Sequence, residues 1–204
     1  GETQVHVSFG GHELVVPIKV IDAAKPRRVS FRLDVMPIFL RAGCNTGSCH
    51  GSARGQDGFM LSLFGYDPDG DHHRITRQLS TRRLNLALPS ESLIVEKSVE
   101  AVPHTGGKQF DVGSPHYNIL VQWIEAGALN DPKDVAKPLN IEILPPKLLL
   151  EGDGTTQQMT VVARYSDGTD RNVTSLVVFQ SNNDNSATVS PEGTVTAKNR
   201  GEAF

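Results

Sequence analysis

The sequence predicts a multi-domain chain, an α-rich central domain set between all-β segments, and three observations predict it. Residues 1–22 and the stretch 139–204 alternate apolar and polar side chains with a period of two, as half-buried strands do. Residues 29–128 lose that alternation and carry helix start and stop signals instead. Polar, proline-containing joints separate the three textures, at Ala23 to Arg28 and at Asn130 to Pro138.

In the first segment Val5, Val7 and Phe9 lead into a Gly10-Gly11 turn, and Leu14, Val16, Ile18 and Val20 follow. In the central segment Asp34 is read as the cap of a helix to about Ala42, with Pro37 in its first turn and Gly43 as its stop. Ser90 opens a shorter helix bearing Leu93, Ile94 and Val95. Ser114-Pro115 opens the last helix, whose Tyr117, Leu120, Val121 and Ile124 share a face before Gly127 ends it. Gly58 to Gly65 alternates briefly and reads as a short strand or extended loop. Such long connections argue for an internal prosthetic group that supplies missing core. In the last segment Ile141, Ile143, Val161 and Ala163 alternate around turn clusters at Ser166-Asp167-Gly168 and Ser181 to Asn185. That is the pattern of an antiparallel sandwich.

Composition narrows the function classes. A formal net charge of -3 over 204 residues, with no basic stripe alternating with aromatics, argues against nucleic acid as a partner. No apolar run approaches the roughly 20 residues of a membrane helix. The chain opens on Gly1 and shows no signal peptide, which reads as a processed or excised piece of something larger.

The strongest chemical signal is Cys44-Asn45-Thr46-Gly47-Ser48-Cys49-His50. Covalent haem attachment usually reads Cys-x-x-Cys-His: two sulfurs meet two vinyl groups, and the adjacent imidazole reaches the iron. The Cys49-His50 adjacency is kept, and the first thiol lies four residues further back. Those four residues are turn formers that can bulge outward. One covalent haem c is therefore expected, with Cys44 and Cys49 as thioethers and His50 as proximal ligand. A Cys44–Cys49 disulfide in an oxidising compartment is the first alternative. A zinc site using both cysteines and a histidine is the second.

Residues 29–128 resemble the planctomycete-type cytochrome c domains of large envelope proteins, in a Cys-x4-Cys-His variant. The resemblance runs through Ala42-Gly43-Cys44-Asn45, Cys49-His50-Gly51, Gly58-Phe59, Leu61-Ser62-Leu63, Arg82-Arg83, His104-x-Gly106-Gly107 and Trp123-Ile124. It implies an α-rich, class I-like fold for this segment. Residues 139–204 resemble a bacterial Ig-like (group 2) module, on Ala163-x-Tyr165-x-Asp167-Gly168-Thr169, Val173-Thr174, Ala187-x-Val189 and Gly193-x-Val195. Residues 1–22 resemble the last strands of such a module. The two parts are expected to complete a sandwich within one molecule or between two, as a strand-exchanged dimer.

For the distal iron ligand the candidates are His72, His73, His104, His116, Met36 and Met60. His104 is preferred, because Val102-Pro103 gives its loop a stiff entry and Gly106-Gly107 a flexible exit; Met60 is the rival. In cytochromes resembling this segment that place often holds a methionine. Arg54, Arg82, Arg83 and Lys108 are candidates to pair with haem propionates.

The reading is a bis-histidine, low-spin electron-transfer domain of a bacterial envelope or periplasmic protein, its redox partner unspecified and no catalytic residue assigned. The alternatives are a structural or adhesion module with a disulfide, and an open-site haem protein with sensing or peroxidase chemistry.

Overall fold

The computed structural model describes residues 1–20, 23–24 and 27–204, apart from the side chain of Ser80. The end of the first segment and part of the joint before Arg28 therefore lie outside the described residues.

Strands β1 (Glu2–Phe9) and β2 (His12–Lys19) form an antiparallel hairpin closed by Gly10 and Gly11, both at positive φ, which suits the twist of a two-residue turn. The register pairs Val5 with Val16 and Val7 with Leu14, so the apolar residues gather on one face. Every residue of both strands is exposed. Among the described residues β1 and β2 pair only with each other.

The central segment is built on short helices: α1 (Met36–Arg41), α2 (Pro68–Thr76), α3 (Ser80–Arg83), α4 (Leu93–Ser98) and α5 (Pro115–Glu125). Ser114 caps α5 as its sequence promises, its hydroxyl accepting from the Tyr117 N–H, and Leu120, Trp123 and Ile124 turn the i, i+3, i+4 face of that helix into the core. Phe31, Ile38, Leu61, Ile75 and Val95 complete that core. The entry to α1 differs from expectation. Ser30 is the cap, accepting from Leu33 N–H, and a π-helical turn over Phe31–Val35 precedes α1. Asp34 is instead a buried acceptor, taking two bonds from Arg27 (2.8 and 2.7 Å) and one from the Ser30 N–H. Gly58 to Gly65 is no strand. It makes one isolated bridge, Gln56 with Phe59, and ends in a 3-10 turn at Leu63–Gly65.

The last segment holds two three-stranded sheets, β3-β5-β6 and β4-β8-β7. Their strands are β3 (Pro138–Leu144), β4 (Thr156–Gln158), β5 (Thr160–Tyr165), β6 (Asp170–Asn172), β7 (Ala187–Val189) and β8 (Thr194–Ala197). Val161, Ala163, Tyr165 and Val173 form a second core. Leu176 packs against both cores.

The α-rich, class I-like cytochrome c fold is corrected. Among the described residues the structure is mixed, with 25% helix, 22% strand and three small sheets. The physical reason is that α1, α3 and α4 are six residues or shorter, and glycines at positive φ (Gly43, Gly55, Gly58, Gly65) punctuate the region between α1 and α2. A missing period of two signals turns as readily as helix.

Candidate functional site

The site begins where α1 ends. Gly43 takes φ +72° and the Cys44 N–H reaches back to the Phe39 carbonyl, a Schellman-type ending that aims the chain out of the helix. Asn45–Ser48 then fold as a compact turn instead of an extended spacer. Cys49 N–H donates to the Thr46 carbonyl, and His50 N–H donates across the whole turn to the Cys44 carbonyl at 3.0 Å. This bond brings the backbone of His50 back to that of Cys44 despite four residues between the cysteines. Gly51 N–H also donates to the Thr46 carbonyl, and a Cβ at Gly51 would overlap the backbone carbonyl of Asn45. Only glycine fits there.

Cys44, Cys49, His50 and His104 all line one cavity of about 460 Å³. Such a volume falls in the range of about 300–1,000 Å³ common to cofactor clefts. Phe39, Phe59, Leu61, Leu93 and Ile94 supply much of its apolar wall. A larger, more open groove of about 900 Å³ runs past His72, Leu86 and Leu129 and holds neither cysteine.

The two imidazoles are oriented alike. The Nδ1 of His50 lies 2.9 Å from the Phe59 carbonyl, and the Nδ1 of His104 lies 2.9 Å from the Gly107 carbonyl. A carbonyl only accepts, so each Nδ1 carries the hydrogen and each Nε2 keeps a free lone pair, the tautomer that metal-ligating histidines use. The ring centroids stand 6.4 Å apart with planes within 8° of parallel. Two imidazoles sharing one metal centre need about 6 Å, from about 2 Å per metal–nitrogen bond and about 1 Å from nitrogen to ring centre. The centroid separation is compatible with that span, and both thiols line the same cavity. Burial holds the His50 pKa below its ordinary value, and the nearby His104 adds to that lowering against the Phe59 carbonyl.

Burial in the cavity wall pushes the Cys44 thiol up to about 12, with Cys49 adding to the rise. Cys44 is thus a neutral thiol at neutral pH and a weak nucleophile. In polypeptide prepared without an attached group, iodoacetamide at pH 8 should label Cys44 roughly a hundredfold more slowly than an ordinary thiol of pKa about 8.5, the scarcity of its thiolate outweighing that thiolate's greater nucleophilicity. Peptide mass spectrometry reads this, and ordinary labelling at Cys44 would refute it.

Most of the other sequence candidates lie elsewhere. Met36 is buried in the core and Met60 stands outside the cavity wall. His72 packs against Phe31 and Trp123 and donates to the Ala128 carbonyl, His73 is exposed, and His116 donates to the Ser175 carbonyl. Arg83 is spent on structure. Its guanidinium sits 4.6 Å above the Phe59 ring and donates to the carbonyls of Arg74, Gln78 and Gly58. Lys108 pairs with Asp111, and neither it nor Arg54 lines the cavity. Arg83 nonetheless lines the cavity, as do Arg82 and Lys97, the last of which the sequence reading missed. Phe59 and Gly106 were quoted in the sequence motifs, as Gly58-Phe59 and His104-x-Gly106-Gly107, without being assigned to the cavity they line.

Among the described residues, no group of three or more His, Cys, Asp or Glu side chains is arranged to hold a metal ion. The expectation of a protein whose own side chains hold a metal ion is corrected on that ground, and the zinc alternative falls with it. No curated protein matches the chain. No cytochrome c family match supports the central segment, so the labels cytochrome c, haem and iron gain nothing from the comparisons. A family model described as bacterial Ig-like domain (group 2) matches residues 140–203. Those residues form a bacterial Ig-like domain, a module typical of extracellular and envelope-associated proteins.

Proposed function

We propose that the chain is part of a bacterial cell-envelope protein in which the Ig-like domain has a structural role and braces a neighbouring cofactor cavity. The family match supports the structural role. The cavity is proposed to hold one haem c, which Cys44 and Cys49 would attach and whose iron His50 and His104 would ligate. The observation that carries this reading is the parallel His50–His104 pair, 6.4 Å apart, with both Nε2 lone pairs free in a cavity that both cysteines also line. It rests on these four side chains and not on a family.

When bound, such a group supplies one-electron exchange. The chain's own residues then do three things. Cys44 and Cys49 anchor, the Phe59 and Gly107 carbonyls fix the two imidazole tautomers, and the apolar wall excludes water. Arg82 and Lys97 add positive charge at the cavity wall, suited to the carboxylates of such a ligand.

The test is a pyridine haemochrome spectrum and an intact mass of the denatured, matured protein, expected to show one haem per chain. His104→Ala should then convert a low-spin spectrum to a high-spin one while the mass stays unchanged. A colourless protein whose thiols are free or bridged to each other would leave the structural role alone standing.

A further inference from the structure

We infer that Gly106 is a positioning residue for His104: the absence of a side chain at 106 keeps the His104 Nε2 approachable. The inference rests on the cavity reading above and deepens it. A Cβ built at Gly106 would stand 3.0 Å from Cε1 and 3.3 Å from Nε2 of His104, against the very edge of the ring that has to meet a ligand. Whether a methyl there matters depends on whether the ring can retreat. Three contacts hold it. The His104 Nδ1–H donates to the Gly107 carbonyl at 2.9 Å, so rotation of the ring breaks that bond. The Gln109 side-chain amide donates to the carbonyls of Gly106 (2.7 Å) and Gly107 (3.3 Å), which fixes the backbone beneath the ring. Lys97 Nζ donates to the Pro103 carbonyl at 2.6 Å and ties down the entry to the loop.

Gly106 is also a clean place to test. It is exposed, and it is absent from the glycines at positive φ, whereas Gly107 next to it has φ +69°. The backbone at 106 therefore accepts alanine without strain, and the substitution isolates the crowding by one methyl.

The experiment compares Gly106→Ala and Gly106→Ser with Thr105→Ala, an exposed neighbour, in the pigment-bearing protein. Absorption spectra and titration with free imidazole are the readouts. Expected are a shift of most of the low-spin population to high spin in both Gly106 variants, as in His104→Ala, and at least tenfold tighter imidazole binding than in the parent. Thr105→Ala should match the parent. An unchanged spectrum in both Gly106 variants overturns the inference, as does an equal shift in Thr105→Ala, which would trace the effect to the loop as a whole. A colourless parent protein is a different failure: it overturns the cavity reading, and this inference with it.

Discussion

Asp71→Ala lowers the unfolding free energy by about 3–5 kcal/mol, the cost of removing one partner from a buried charged network. Asp71 is fully buried and takes three bonds, from the Ser62 N–H (2.6 Å), the Ser62 hydroxyl (2.5 Å) and Arg74 (2.9 Å). Alanine leaves the Ser62 donors without acceptors and Arg74 with only Asp67 (3.2 Å) for company. Ser62 follows Leu61, whose N–H donates to the His50 carbonyl, so the loss reaches the cavity through one residue. Urea unfolding followed by the fluorescence of Trp123 measures it. A change under about 1 kcal/mol would show that the network relaxes or that water replaces the carboxylate.

Gly51→Ala is expected to cost about 3 kcal/mol, at the upper end for a side chain forced into a packed place. The Asn45 carbonyl that it would strike is not free to withdraw, because it already accepts the Phe64 N–H at 3.0 Å. The turn has to open, and the His50–Cys44 bond opens with it. Thermal melting gives the stability, and the yield of attached pigment gives the geometry; both should fall together. Stability near the parent's would mean that the turn accommodates a side chain, contrary to its packing.

How much of this was legible in the sequence depends on how local each cause is. Ser114-Pro115 and Gly127 set the ends of α5 by near-neighbour bonds, so they could be read directly. The hairpin was legible for the same reason. Asp34 alone was read as the cap, and distant partners decided otherwise: Arg27 and Arg171 draw its carboxylate away from the helix start, and Ser30 caps instead. Arg83 read as a candidate partner for propionates because nothing in its neighbourhood announces the carbonyls that surround it. The Cys44 to His50 cluster showed its chemistry in its residue types, but the bond that draws its ends together is a property of the folded turn. The α-rich expectation failed because loss of strand alternation was taken as helix, while glycines at positive φ made turns of much of that length.

The residue shared by both cores has a practical consequence. The polar stretch at 130–138 invites a fragment boundary, yet it is not slack: Asp131 accepts from the Ser30 hydroxyl and the Arg32 N–H, and the Asn130 carbonyl accepts from Arg28. Arg41, at the end of α1, donates to the carbonyls of Val177 and Pro191. Cutting there uncovers Leu176 and Leu33 at once. The Ig-like domain is joined to its neighbour as a wall to its buttress, through Arg41 and Leu176, neither of which lines the cavity.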